Sequence, residues 1–344
     1  MSSIGPSDDR FDEFSFVAQD AARLGLTVPL PNVRRTPVTA GNGERLSALV
    51  WGDTAPDVVF LHGGGLNAHS WDSTTLALGR PTVAIDLPGH GDSDWRDNFD
   101  YAPQSIAEPL ASVIHQLCDG PHVLVGQSLG GLAAIAAAAL LGGRVSRLVL
   151  VDITPGRRTS EPSSRVVEFI AGPESYASRS EVIDRALQFG MGSSRDDLER
   201  GVLLNTRIRH DGRVVFKHHL ASPPAGAFVP YDAEALWPIL ENLDIPVLLV
   251  YGTTGILDPV FENYNKRVDD AHAKMVWTHP GMDTYYRNSK GRVVVNNPFK
   301  IVDFWRMLRH ADLRDFEVTQ AARVSAPQEA NPSVRVSVAE TGRG

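Results

Sequence analysis

The chain has 344 residues, 42% of them hydrophobic, and a formal net charge of −8. That length allows one large domain or two modest ones, and the apolar share suffices for a substantial core. The negative balance argues against nucleic acid or an anionic membrane as the main partner, and the single cysteine, Cys118, excludes an internal disulfide or a thiolate metal cluster.

The first stretch, "MSSIGPSDDRFDEFSF", is acidic and lacks the basic start and apolar core of a secretory leader, so the expected compartment is the cytoplasm. Residues 1–33 space their apolar side chains (Phe11, Phe14, Phe16, Val17, Ala21, Leu24) as an amphipathic helical extension lying on the body. Strand-like and helix-like runs then alternate. "RLSALVWG" (45–52), "DVVFLHG" (57–63), "RPTVAIDLPG" (80–89), "PHVLVG" (121–126) and "VSRLVLVD" (145–152) are expected strands. "SIAEPLASVIHQLC" (105–118) and "LGGLAAIAAAALLGG" (129–143) are expected helices, the second too short and too alanine-rich to span a membrane. Apolar strands alternating with helices imply a mostly parallel sheet covered on both faces.

After "DITPG" the rhythm breaks. Residues 155–240 hold charged helical stretches, "RSEVIDRALQF" and "RDDLERGVLLN", and the loop "SPPAGAF". They are expected to form a helical lid over the strand ends. "IPVLLVYG" (245–252) resumes the strand pattern, "AKMVWTH" (273–279) is the expected last strand, and "PFKIVDFWRMLRH" (298–310) the closing helix. From Val318 to the end, Ala, Ser, Pro, Glu and Gly dominate and periodicity is lost, the composition of a disordered tail.

Three glycine-rich stretches stand at strand ends. "VLVGQSLGGLAA" reads strand, Gly-x-Ser-x-Gly, helix, the context in which Ser128 would be a nucleophile on a sharp turn. A glycine turn between strand and helix is the structural alternative. In "FLHGGGLNAHSW" the N–H of Gly64, with that of Leu129, would form an oxyanion hole, while His62 anchors the loop. "DLPGHGDSDW" is a structural loop in which His90 and Asp92 are expected to satisfy backbone groups.

Together "HGGG" with Trp71 downstream, "DLPGHGDS" and "GQSLGG" resemble the α/β-hydrolase superfamily, over residues 34–258. The resemblance implies an α/β-hydrolase fold. Its serine at the elbow is similar to that of esterases, lipases, peptidases, lactonases and carbon–carbon bond hydrolases, and unlike dehalogenases and epoxide hydrolases, which carry aspartate there. The triad in this fold runs Ser, then Asp or Glu, then His. Where many relatives carry the acid after the later strand, this chain reads "GTTG", with Gly255 in the aspartate's place. Asp152, closing "VLVD", is therefore the favoured acid and Asp258 in "GILDP" the alternative; a helix cap and a turn residue are their structural readings. The superfamily's histidine follows the last strand, where "HPGMD" has Asp283. His279 is the nearest imidazole and the candidate base; His218 and His219 lie in the expected lid and His310 in the closing helix.

From about Pro259 to residue 317 the chain resembles a different family, the C-terminal segment of flavin-dependent Baeyer–Villiger monooxygenases. "MVWTHPGMDTYYRNSKGRVVVNNPF" and "DFWRM" carry that resemblance. No Gly-x-Gly-x-x-Gly occurs, which opposes dinucleotide binding and a monooxygenase fragment. The chain thus reads as a hybrid: an extension (1–33), a hydrolase core (34–154), a lid (155–240), a second core part with a hybrid end (241–317) and a tail (318–344). The expected activity is serine hydrolysis of a small apolar carboxylic ester or related carbonyl compound, with no metal or organic cofactor implied and oligomeric state unspecified. The alternative, prompted by the atypical end, is a catalytically impaired protein of the same fold that binds small apolar carbonyl compounds.

Overall fold

Short runs of β-branched and aliphatic residues build the centre of the molecule. The computed structural model describes residues 11–26, 29–155, 165–192, 194–221, 223–224, 230–251 and 293–296. Helix α1 (Val17–Arg23) precedes strands β1 (Val33–Thr39), β2 (Arg45–Trp51) and β3 (Val58–Leu61). Then come α2 (Asp72–Leu78), β4 (Thr82–Ile85), α3 (Pro103–Leu117), β5 (His122–Gln127), α4 (Leu129–Leu141) and β6 (Val145–Val151). An insertion follows: α5 (Arg165–Ile170), α6 (Arg179–Gln188), α7 (Arg195–Asn205) and a hairpin of β7 (Thr206–Ile208) with β8 (Val214–Phe216). Helix α8 (Trp237–Asn242) leads back to β9 (Val247–Tyr251), and β10 (Val293–Asn296) completes the order.

The main sheet has eight strands in the order β1-β2-β4-β3-β5-β6-β9-β10. Strand β2 pairs antiparallel with both β1 and β4; the pairs from β4 through β10 are parallel. Every residue of β3 and β4 is buried, as a sheet covered on both faces requires. One face packs on α3, α4 and α8, the other on α1 and α2. Helix α4 is apolar all round and buried from Gly130 to Ala138. Its alanines let the backbone lie close to the sheet, and α3 covers its outer side.

The expected central strands and the helices at 105–118 and 129–143 are all present. The extension is helical over Val17–Arg23, with Val17, Asp20 and Ala21 buried. Among the elements not individually foreseen are β1, α2, α5, α8 and the β7–β8 hairpin. A parallel strand at Val293–Asn296 beside β9 was not foreseen either. The expected strand at 273–279, the closing helix at 298–310 and the tail from Val318 lie outside the described residues.

Asp86, at the end of β4, organises the loops above the sheet. It is fully buried, and its carboxylate accepts the N–H of Ala68 at 2.7 Å and of Asp92 at 3.1 Å. Arg35 of β1 pairs with it at 2.6 Å and also donates to Ser47 Oγ and Glu13. Burial alone would raise the Asp86 carboxyl, but Arg35 and the N–H donors outweigh it and hold it below the ordinary value. Asp92 does not satisfy backbone groups with its side chain, contrary to the expectation. Its carboxylate faces Arg35 and Lys217, at 3.2 and 3.9 Å, because the backbone-capping position is already filled by Asp86.

Glu13 fastens the extension to this network, meeting Arg35 at 2.6 Å and His69 Nε2 at 3.1 Å. Burial raises its carboxyl, yet the hydrogen bonds from His69 and Arg35 bring it down from 4.5 to about 2. A depressed carboxyl stabilises the fold above its unfolded value and loses that contribution as the pH falls through the folded one. Glu13 should therefore contribute about 1–2 kcal/mol near neutral pH, discounted for its partial exposure. Urea midpoints measured down an acid series should fall less steeply for Glu13→Gln than for the wild type between pH 4.5 and about 2.

Candidate active site

Ser128 sits between β5 and α4 with φ 48° and ψ −118°, backbone angles that non-glycine residues rarely adopt. The turn is possible because strand and helix touch without side chains between them. A Cβ at Gly126 would lie 2.4 Å from the Gly130 carbonyl oxygen, and one at Gly130 would lie 2.4 Å from that of His62. The Ser128 carbonyl accepts the N–H groups of Gly131 and Leu132, and its own N–H donates to Val151 O at 3.0 Å. Ser128 thereby stands at the N-terminus of α4, where the N–H groups of Leu129 and Gly130 precede the helix's first hydrogen bonds.

The loop after β3 lies directly against this turn. A Cβ at Gly63 would be 3.5 Å from Ser128 Cβ, and one at Gly64 would be 3.8 Å from Leu129 Cδ2. His62 is buried and holds the loop's geometry. Its Nε2 accepts the Leu87 N–H at 2.9 Å, so the ring hydrogen is on Nδ1 and donates to Gly63 O at 2.8 Å. The Gly63 carbonyl and the Gly64 N–H belong to one planar trans peptide and point in opposite directions. Fixing the first aims the second. Burial pushes the His62 imidazole below its ordinary value, which keeps it neutral in this role. Further along the same connection, the ring of Trp71 stacks on Phe60 of β3 at 4.7 Å.

Asp152 follows Val151, the acceptor of the Ser128 N–H, so it stands beside the turn at the end of β6. Its φ is 53°, a left-handed conformation that aspartate tolerates better than most side chains. Among the described residues, His90, His218 and His219 make other contacts. His90 Nδ1 donates to Pro88 O, the ring of His219 accepts the Tyr101 hydroxyl at 2.7 Å, and His218 is buried against Phe216. Burial, then the neighbouring His62 and His219, push His218 down to about 3. Asp258 and His279 lie outside the described residues, as do Asp283 and His310.

Residues 58–287 match the model of the family described as "Alpha/beta hydrolase family". The chain belongs to the α/β-hydrolase family. As a member of it the chain is an enzyme of the hydrolase class, and Ser128 stands on the expected turn between strand and helix. It is 40% identical over 254 residues to the esterase Rv0045c of Mycobacterium tuberculosis, covering 72% of this α/β-hydrolase and 82% of that relative. A solved structure of the same esterase superposes with a TM-score of 0.65 at 37% identity, over 75% of this chain and 88% of that one. A separate similarity of 57 residues, 42% identical, joins 17% of this chain to 9% of an uncharacterized monooxygenase, y4iD, of Sinorhizobium fredii. Among the described residues no helix is long and apolar enough to cross a membrane.

Of the residues singled out in the sequence, Gly64, Ser128 and Leu129 come together, with Asp152 next to them. Sequence reasoning missed Asp86 and Arg35, which hold the loop after β3 through the Ala68 N–H, and Leu220, which reaches it from the insertion. The Arg35–Asp86 partnership spans 51 positions and leaves no local pattern.

Proposed function

We propose that this α/β-hydrolase is a serine hydrolase that cleaves a small apolar carboxylic ester through an acyl-enzyme. The observation that carries the reading is the strained Ser128 turn at the N-terminus of α4, in contact with the loop that offers the Gly64 N–H. Similarity to an esterase over most of both chains supports the same substrate class.

In this reading Ser128 Oγ attacks the carbonyl carbon while a histidine takes its proton. The developing oxyanion accepts hydrogen bonds from the N–H groups of Gly64 and Leu129. The tetrahedral adduct collapses, the C–O bond to the alcohol breaks, and the histidine's proton leaves with the alcohol. Water then attacks the acyl-enzyme by the same route in reverse. Asp152 orients the histidine, with Asp258 the alternative acid. The base is His279; His310, which follows β10 in chain order, is its competitor. Residues 155–240 act as the lid over core parts 34–154 and 241–317, with 1–33 as an extension and 318–344 as a tail. The site asks for no metal or organic cofactor, and the enzyme works in the cytoplasm.

Turnover of p-nitrophenyl esters tests this. The folded wild type should hydrolyse them. His279→Ala should lower kcat by about 10³-fold or more, against a small change for His310→Ala. A large loss in His310→Ala alone reassigns the base. A folded wild type with no turnover refutes the esterase reading and leaves a binding protein of the same fold.

A further inference from the structure

One side chain of the insertion stands over the glycine that the proposed chemistry uses. A Cβ at Gly64 would lie 3.8 Å from Leu220 Cδ1, the same distance as from Leu129 Cδ2. The next glycine is closed in turn: a Cβ at Gly65 would fall 2.8 Å from Ile170 Cγ1. The oxyanion loop is thus flanked by branched aliphatic side chains, two of them contributed by the insertion.

The segment carrying Leu220 is fastened to the core. The His219 N–H donates to Gly89 O at 2.8 Å, and His218 bridges to His90. The His219 ring stacks on Trp95 and Phe99, with centroids 4.4 and 3.9 Å away. Tyr101 completes the attachment. Its oxygen accepts the Arg96 N–H at 2.7 Å, and its hydrogen is donated to His219 Nδ1 at 2.7 Å. Burial pushes the Tyr101 phenol up to about 12, so it stays a donor at neutral pH. Leu220 therefore enters the site from a bolted position, ahead of any movement elsewhere in the insertion.

We propose that Leu220 is a fixed wall that sets acyl-group specificity, so that the preferred substrates are esters of short, unbranched, apolar acids. The proposal rests on the serine-hydrolase reading above. Strand order assigns the wall to the acyl side. Gly64 follows β3 and Asp152 follows β6, on opposite sides of β5, which leads to Ser128. A base oriented by Asp152 stands on the β6 side, and it must protonate the departing alcohol. The alcohol therefore leaves toward β6. The carbonyl oxygen turns to Gly64, and the acyl group shares the β3 side with Leu220.

The test is the ratio of kcat/KM across p-nitrophenyl acetate, butyrate, hexanoate, octanoate and isobutyrate. Leu220→Ala should raise the longer and branched esters relative to acetate by about tenfold or more, the lower end of what one methylene is worth in an apolar pocket. Leu220→Phe should move the ratios the opposite way. Tyr101→Phe loosens the wall without shortening it and should shift the ratios in the same direction as Leu220→Ala, by less. Should Leu220→Ala not fold, Leu220→Val removes one methylene and carries the same comparison. Ratios that stay constant while all rates fall together overturn the wall and leave the esterase reading intact. A selectivity change seen only when the alcohol is varied also overturns it. A folded wild type that hydrolyses no ester overturns the esterase reading itself, and the wall with it.

Discussion

Ser128→Ala is expected to lower ester turnover by about 10⁴-fold or more while the protein remains folded. The hydroxyl is the only group removed, and the turn that presents it is held by backbone contacts. The Ser128 N–H still meets Val151 O, and the Ser128 carbonyl still receives Gly131 and Leu132. A second substitution separates strain from chemistry. At φ 48° and ψ −118° a side chain costs about 1–3 kcal/mol, a penalty glycine escapes. Ser128→Gly should therefore be as inactive as Ser128→Ala but more stable than it by about 1 kcal/mol, after glycine's greater unfolded-state entropy is set against the relief. Melting temperatures of the two variants give the comparison directly. Equal stabilities would mean that the turn stores no strain, and retained turnover in Ser128→Ala would remove Ser128 from the chemistry.

The largest effect on stability is expected at Asp86. Asp86→Ala leaves the Arg35 guanidinium without its buried partner and strips the Ala68 and Asp92 N–H groups of their acceptor. Breaking a buried pair in this way costs about 3–5 kcal/mol, because the remaining charge and donors stay desolvated. Asp92→Ala is the control. Its carboxylate also meets Arg35, at 3.2 Å, but its side chain is 39% exposed, so the loss should stay within about 1 kcal/mol. Urea unfolding of the two variants should separate them clearly. The activity of Asp86→Ala should fall even where it is folded, since the Ala68 N–H anchors the loop that carries Gly64. Similar costs at the two positions would mean that the network is held by Arg35 and its other partners instead.

The parts of the fold legible in the sequence are those fixed by local pattern. The strands from β3 to β6 are continuous apolar runs, and the glycines around Ser128 are required by contacts of 2.4 Å that any side chain would break. Strand β1 escaped because it alternates exposed and half-buried positions and contains Pro37, the profile of an edge. Helix α2, "DSTTLAL", carries two adjacent threonines and is short, so its buried face has no clear helical period. The β7–β8 hairpin did leave a signal: Asp211-Gly212 between two strand-like runs, with Gly212 at φ 79°. It was masked by the charge of the surrounding insertion.

The candidate site divides in the same way. Ser128, Gly64 and Leu129 were legible because the chemistry demands glycine at fixed offsets from a strand end. Asp86, Arg35, Tyr101 and Leu220 were not, because each acts through partners far along the chain. The His219–Tyr101 bond joins positions 118 apart. The base was left open for a further reason. The segment from Pro259 resembles another enzyme family and offers His279 where relatives carry a histidine a few positions later. The pairing of Val293–Asn296 with β9 adds His310 as a rival, since it too follows a parallel strand in chain order.

A nucleophilic Ser128 is open to a direct test by covalent labelling. The wild-type protein is incubated with a fluorophosphonate, and the modified peptide is located by mass spectrometry. One phosphonyl group on Ser128, absent from Ser128→Ala and slowed by competing short-chain ester, is the expected result. A folded protein that takes up no label, or carries it on another residue, would mean that Ser128 is not the nucleophile.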